Sequence, residues 1–167
     1  MSDCVFCRIV AGQIPSTRVH EDEHTLAFMD LGQVNPGHVL VAVKKHAANL
    51  FELEVAQAEA IARATVKISN ALKKAFEPEG LSVYQANGKA AGQTVFHYHV
   101  HLLPRHAGDG MELTWPVKNP PAKNWKATRR KSARNSARKA PNRRPSCSAP
   151  KSRRARGCCF ARRGARS

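Results

Sequence analysis

The spacing of apolar and polar positions changes period several times along the chain. Residues 17–20 and 24–29 (HTLAFM) flank the charged triplet Glu21-Asp22-Glu23 and predict a hairpin. Residues 38–43 (HVLVAV) are apolar and β-branched, a third strand entered through the turn signal Asn35-Pro36-Gly37. From about Asn49 to Phe76 the spacing becomes helical, with Ile61, Thr65, Ile68, Leu72 and Ala75 on one stripe. Asn49 and Glu52 are placed as a capping box for that helix, and Pro78 and Gly80 end it. Residues 81–86 (LSVYQA) and 95–103 (VFHYHVHLL) predict two further strands around the loop NGKAAGQ. The pattern is α+β: a mainly antiparallel five-stranded sheet with one main helix.

Charge divides the chain in two. The whole carries a formal +16 over 167 residues, which taken as an average points to nucleic acid. Residues 1–120, however, hold 11 of the Lys and Arg residues and all 12 acidic ones, close to neutrality. The other 17 basic residues follow Pro120 with no acid among them. The expected organisation is a near-neutral domain over residues 1–118 and a basic tail over residues 119–167, disordered from about Pro121 because it lacks periodic apolar positions. Some 110 to 120 residues suffice for one domain with its own core. No run of about 18 apolar residues is present, so no membrane span is expected. Met1-Ser2-Asp3-Cys4 is no signal-peptide start, which makes a cytoplasmic, reducing location the expectation. Cys4 and Cys7 in the domain, with Cys147, Cys158 and Cys159 in the tail, do not form the framework of a small secreted protein.

Candidate chemistry concentrates in His97-Tyr98-His99-Val100-His101. On a strand, alternate residues share a face, so the three imidazoles are expected on one side and Tyr98, Val100 and Leu102 on the other. Three readings stand: an exposed polar face, a metal site of three histidines, or a phosphate-handling site in which imidazole acts as nucleophile and proton donor near neutral pH.

The stretch NGKAAGQTVFHYHVHLLPR resembles the signature of the histidine triad family of nucleotide hydrolases and transferases, and the resemblance extends back through AFMDLGQVNPGHVLVAVKKH to CVFCRI. It implies that His99 attacks the α-phosphorus of a nucleotide, and that the resulting nucleotidyl-imidazole is hydrolysed by water. It implies that His101 and His38 contact the phosphate, and that Gln93 and Thr94 hold its oxygens and the leaving group, with backbone donors near Gly92. It places Asp30 on the ribose and Phe6, Ile9, Phe28 and Leu31 around the base, and Asn87 belongs to the matching set. A purine nucleotide substrate, nucleoside phosphoramidates or related conjugates, and a homodimer with sheets paired across two subunits are further implications. The alternatives are a dinucleoside polyphosphate hydrolase using the same His99, and a non-catalytic nucleotide-binding or nucleic-acid-associated module.

Cys4-x-x-Cys7 has a spacing common in zinc sites, and its other reading is two reduced cysteines in a small apolar N-terminal segment. In some triad proteins and their uridylyltransferase relatives such a pair joins a downstream histidine and the first histidine of the motif, which here implies Cys4, Cys7, His46 and His97 around a structural zinc ion. His20, His24 and His106 match nothing and are expected at the surface. The basic tail has two readings: an extension that binds nucleic acid, at least as a nonspecific polyanion contact, or translation out of frame. Asn124 to Lys139 can be encoded so that the next frame reads LEGYAEKIRAKLRA and then a stop, a strong helix former with mixed charges.

Overall fold

The computed structural model describes residues 4–112, 114, 116–118 and 121–136. They separate into one unit ending at Leu113 and a second from Thr114 onward. The first holds a five-stranded antiparallel sheet, β1 (Arg18–Glu21), β2 (Thr25–Met29), β3 (Val39–Val43), β4 (Gly80–Tyr84) and β5 (His99–Arg105), in spatial order β1-β2-β3-β5-β4. Two helices accompany it, α1 (Val5–Val10) and α2 (Val55–Phe76). This is the α+β architecture that the apolar pattern predicts.

The central strand β3 is buried at every position, because both sheet faces are covered. On one face Val39, Val41, Val43, Val100 and Leu102 meet Ile61, Ala64, Ile68 and Leu72 of α2. On the other, Leu26, Phe28, Leu40 and Ala42 meet Phe6 and Ile9 of α1. The strand period of two thus sorts β5 cleanly: Val100 and Leu102 go to the α2 core, while His99 and His101 share the face of Ala42 and Leu40, the residues opposite them in the ladder.

Several boundaries differ from expectation. Helix α2 starts at Val55, where Glu54 and Gln57 form a reciprocal capping box, and the Gln57 amide also donates to the Lys45 carbonyl at 2.8 Å. Asn49 and Glu52 instead form a separate turn: the Asn49 side chain accepts from the Phe51 N–H at 3.0 Å and Glu52 accepts from the Ala48 N–H at 3.2 Å. Ala75, expected on the buried stripe, is exposed. Strand β5 begins at His99 rather than residue 95, since the Tyr98 N–H is drawn to the Ala47 carbonyl at 2.7 Å and His97 turns back on Val95 at 2.9 Å. Helix α1 has no counterpart among the predicted elements; six residues carry too little periodicity to announce a helix.

Before β3, Gly37 has φ +88, and a Cβ on it would stand 2.7 Å from the Phe76 ring. Only glycine fits a turn that is both left-handed and pressed against the end of α2.

In the second unit Ala122–Ser136 form helix α3, within the stretch expected from about Pro121 to be a basic tail. Alanine, lysine and arginine supply adequate helix propensity even without an apolar stripe, and the Thr128 and Ser136 hydroxyls donate to carbonyls four residues earlier. Residues 137–167, the rest of the predicted tail, lie outside the described residues. Among the described residues no helix is long and apolar enough to cross a membrane.

Candidate active site

The face of the sheet opposite α2 carries a cavity of about 290 Å³, walled by Phe6, Ile9, Phe28 and Leu40 and rimmed by Asp30, Leu31 and Thr94, with His99 and His101 at one end. Phe6 packs edge-on against Phe28 at 5.4 Å between ring centroids and against His99 at 5.0 Å. The cavity is therefore largely apolar, with polar groups entering it from the two imidazoles, Asp30, Ser16, Thr17 and Thr94.

His99 has a fixed tautomer. Its Nδ1 lies 2.5 Å from the His97 carbonyl oxygen, which can only accept, so Nδ1 carries the proton and Nε2 keeps its lone pair. Burial holds the His99 pKa below the usual histidine value, so this lone pair is available at neutral pH. Those two properties are what a nitrogen nucleophile needs.

His101 is oriented by its neighbours. His38 Nε2 stands 3.0 Å from His101 Nδ1, and Asp30 Oδ2 lies 3.5 Å from that same His38 nitrogen. The nearby carboxylate favours a proton on His38 Nε2, which then donates to His101 Nδ1 and leaves His101 with its proton on Nε2. Burial, reinforced by the adjacent His99 and His38, pushes the His101 pKa down to about 4. At pH 7 it is thus a neutral donor. His38 is buried, and its Nδ1 has no hydrogen-bond partner among the described residues. Asp30 divides its oxygens, Oδ1 accepting the Gly32 N–H at 2.9 Å and Oδ2 facing His38 and His101.

The remaining candidates fall into two groups. Phe6 and Ile9 are core residues whose exposed edges wall the cavity, and Leu31 stands fully exposed at its rim. Gln93, Asn87 and Gly92 do not line it. The Gln93 amide donates to Ala48 and Val95 carbonyls at 2.6 and 3.0 Å and accepts the Gly88 N–H at 2.7 Å, so its polar atoms are engaged in closing the loop before β5. Asn87 fastens the same loop by accepting the Leu50 N–H at 2.7 Å. Gly92, φ +85, ends the 3-10 turn Lys89–Ala91.

A second cluster lies behind His99. His97 leaves the strand and is wholly buried, its Nε2 donating to the Val43 carbonyl at 2.6 Å. That bond places the Nδ1 lone pair toward Cys4 Sγ at 3.3 Å, Cys7 Sγ at 3.5 Å and His46 Nδ1 at 3.2 Å. Cys7 Sγ and His46 Nδ1 are 3.3 Å apart, and all four atoms lie within 4.8 Å of one another. Tetrahedral zinc with bonds of about 2.0–2.3 Å separates its ligands by roughly 3.3–3.8 Å. The donor types, spacing and carbonyl-fixed tautomer all fit a metal ion. Asp30, His38 and His101 make another three-atom cluster of metal-binding size at the mouth of the cavity.

Some positioning residues escaped the sequence reading. Arg105 grips Asp109 by two nitrogens at 2.6 and 2.7 Å, and Asn35 bonds both Asp109 at 2.9 Å and the Pro104 carbonyl at 2.8 Å. This network ties the turn before His38 to the end of β5. No motif marks it, since its partners are 69 and 74 positions apart. His24 and His106 are exposed as expected, whereas His20 is partly covered beside Asp22, at 3.6 Å.

Known proteins resemble this chain in both sequence and fold. The sequence model of the HIT domain matches residues 11–108. The chain is 48% identical over 114 residues to "Protein hit" of Bacillus subtilis, covering 68% of this chain and 79% of that protein. It is 38% identical over 114 residues to the "Adenosine 5'-monophosphoramidase hnt1" of Schizosaccharomyces pombe, covering 68% and 83%. Among solved structures, a HIT family protein from Bacillus anthracis superposes with a TM-score of 0.77 at 39% identity over 80% of this chain and 97% of that one. A zinc-bound histidine triad family protein from Mycobacterium smegmatis superposes at 0.62, with 32% identity over 80% and 96%. Family model, close relatives and fold coincide over the segment that carries both histidine clusters, and the chain belongs to the HIT domain family.

Proposed function

We propose that the protein hydrolyses nucleoside phosphoramidates or related nucleotide conjugates through a covalent intermediate on His99. The observation that carries this reading is the 2.5 Å bond from His99 Nδ1 to the His97 carbonyl, which leaves the opposite ring nitrogen free at the end of an apolar cavity. In the first step the Nε2 lone pair forms a bond to the α-phosphorus as the bond from phosphorus to the leaving amine breaks, and the amine departs with a proton. In the second, water attacks the phosphorus, the P–N bond to His99 breaks, and the nucleoside monophosphate leaves. Two displacements replace one attack by water.

The other groups have distinct tasks. The proton on His101 Nε2 is placed for a phosphoryl oxygen or the departing group, and His38 with Asp30 holds that tautomer. Asp30 also stands at the rim where ribose hydroxyls would lie, and Phe6, Ile9 and Leu31 supply apolar surface for a purine. Thr94 lines the cavity and is the nearer candidate for phosphate oxygens, while Gln93, Asn87 and Gly92 serve by shaping the loop that presents it. Likeness to a relative named as a monophosphoramidase favours the amine leaving group over a second nucleotide.

Zinc would be held by Cys4, Cys7, His46 and His97, where it would act as a structural tie between the N-terminus and the sheet. A homodimer is proposed through β4, a sheet edge that leaves Val83 57% exposed.

Turnover of adenosine 5'-phosphoramidate is the direct test. Wild-type protein should release AMP, and His99→Ala should lose about a thousandfold or more in rate, because a whole chemical route is removed. Retained activity in His99→Ala would contradict the assignment. Faster turnover of diadenosine polyphosphate would move the reading to the other leaving group.

A further inference from the structure

Helix α1 is six residues long, and Cys4, which precedes its first turn, makes no side-chain cap. A helix of that length does not hold itself in water. It is held by burial of Phe6 and Ile9, and by Cys4 and Cys7 facing His97 and His46. Phe6 lies between the two cysteines in sequence, and its ring meets His97 edge-on at 5.8 Å and His99 at 5.0 Å. A second link runs through the backbone, where the His97 carbonyl accepts a hydrogen bond from Nδ1–H of the proposed nucleophile. The candidate metal cluster and the nucleotide pocket thus share a wall and a hydrogen-bond acceptor.

We propose that the Cys4, Cys7, His46 and His97 cluster regulates the nucleotide pocket: with zinc bound, α1 is fixed against the sheet, Phe6 and the His97 carbonyl are held, and the cavity wall and His99 are preset for ligand. This rests on the nucleotide reading above. Phe6 is the positioning residue of the coupling. A metal that served only to raise global stability would leave nucleotide affinity unchanged wherever the protein stays folded. A coupled metal changes it, and by linkage the nucleotide must strengthen zinc binding by the same factor.

The test uses the full chain, with AMP and zinc ions as probes. AMP affinity is measured by titration calorimetry on protein carrying one equivalent of zinc and on chelator-stripped protein, at a temperature where circular dichroism finds both folded. Zinc is kept at one equivalent so that the Asp30, His38 and His101 cluster stays free. AMP should bind about tenfold more tightly to the zinc form, within the usual range of allosteric coupling. A competing chelator should show zinc bound about tenfold more tightly in saturating AMP, as reciprocity requires. Equal AMP affinities in the two folded forms would overturn the coupling and leave the nucleotide reading standing. Absence of AMP binding to either form would overturn that reading itself. Phe6→Leu retains all four metal ligands, so it should hold zinc while the AMP ratio falls toward one; an unchanged ratio would remove Phe6 from the route. Should the stripped chain unfold, the comparison is made at lower temperature or in an excluded osmolyte, where circular dichroism finds both forms folded.

Discussion

Two hydrogen bonds to carbonyls, His99 to His97 and His97 to Val43, set the chemistry of neighbouring histidines in opposite ways. One leaves Nε2 of His99 free at the cavity, and the other leaves Nδ1 of His97 free toward the cysteines. Burial lowers the pKa of His97, His99 and His101, the last to about 4. The sign follows from the proton count: from about pH 6.5 down to about pH 4 the unfolded chain binds a proton at His101 that the folded chain refuses, so stability falls as pH falls through that window. Urea midpoints should decline from pH 7 to pH 4.5, and less steeply in His101→Gln; an equal slope in both proteins would contradict the burial argument. At this scale the sequence was highly legible, since alternation along a strand already pairs His99 with His101. What it could not supply was the departure of His97 from the strand, which depends on the Val43 and Ala47 carbonyls, or the engagement of Gln93 with its own loop.

At the scale of elements, the site is assembled where short connections are pinned. Gly37 lets the chain turn into β3 with His38 buried beside His101, so Gly37→Ala must adopt a strained φ and displace Phe76. A loss of about 1–3 kcal/mol is expected in chemical denaturation, with weaker nucleotide binding. Protein purified without chelator should contain close to one zinc ion per chain, and Cys4→Ser with Cys7→Ser should lose the metal and melt at lower temperature, as elemental analysis and thermal scans would establish. Metal-replete wild-type protein without zinc would count against the four ligands. Strands and the long helix were readable because their periods repeat over several residues. The six-residue α1 and the true start of α2 were not, because each depends on one or two side-chain contacts rather than on a repeating pattern.

For the whole molecule, charge separates what the average merges: a near-neutral domain and a basic segment whose described part is helix α3. The full chain should bind double-stranded DNA at low salt with a steep salt dependence, through counterion release. Truncation after Pro120 should abolish that binding and leave AMP affinity within about twofold. Persistence of sequence-specific DNA binding at physiological salt would make the basic segment a functional arm and end the out-of-frame reading. The family was legible over the domain because its histidines fall in register with Asp30, His38 and Gln93. Loop ties such as Asn35 to Asp109 join residues far apart in sequence and leave no local trace.

The central claim is covalent catalysis at His99, and intact-mass spectrometry of protein quenched during turnover of adenosine 5'-phosphoramidate tests it most directly. The account predicts a species heavier than the free chain by one adenylyl group, acid-labile as a phosphoramidate bond to imidazole should be, and absent from His99→Ala. Full turnover with no such species at any quench time, or the same adduct on the His99→Ala chain, would contradict it.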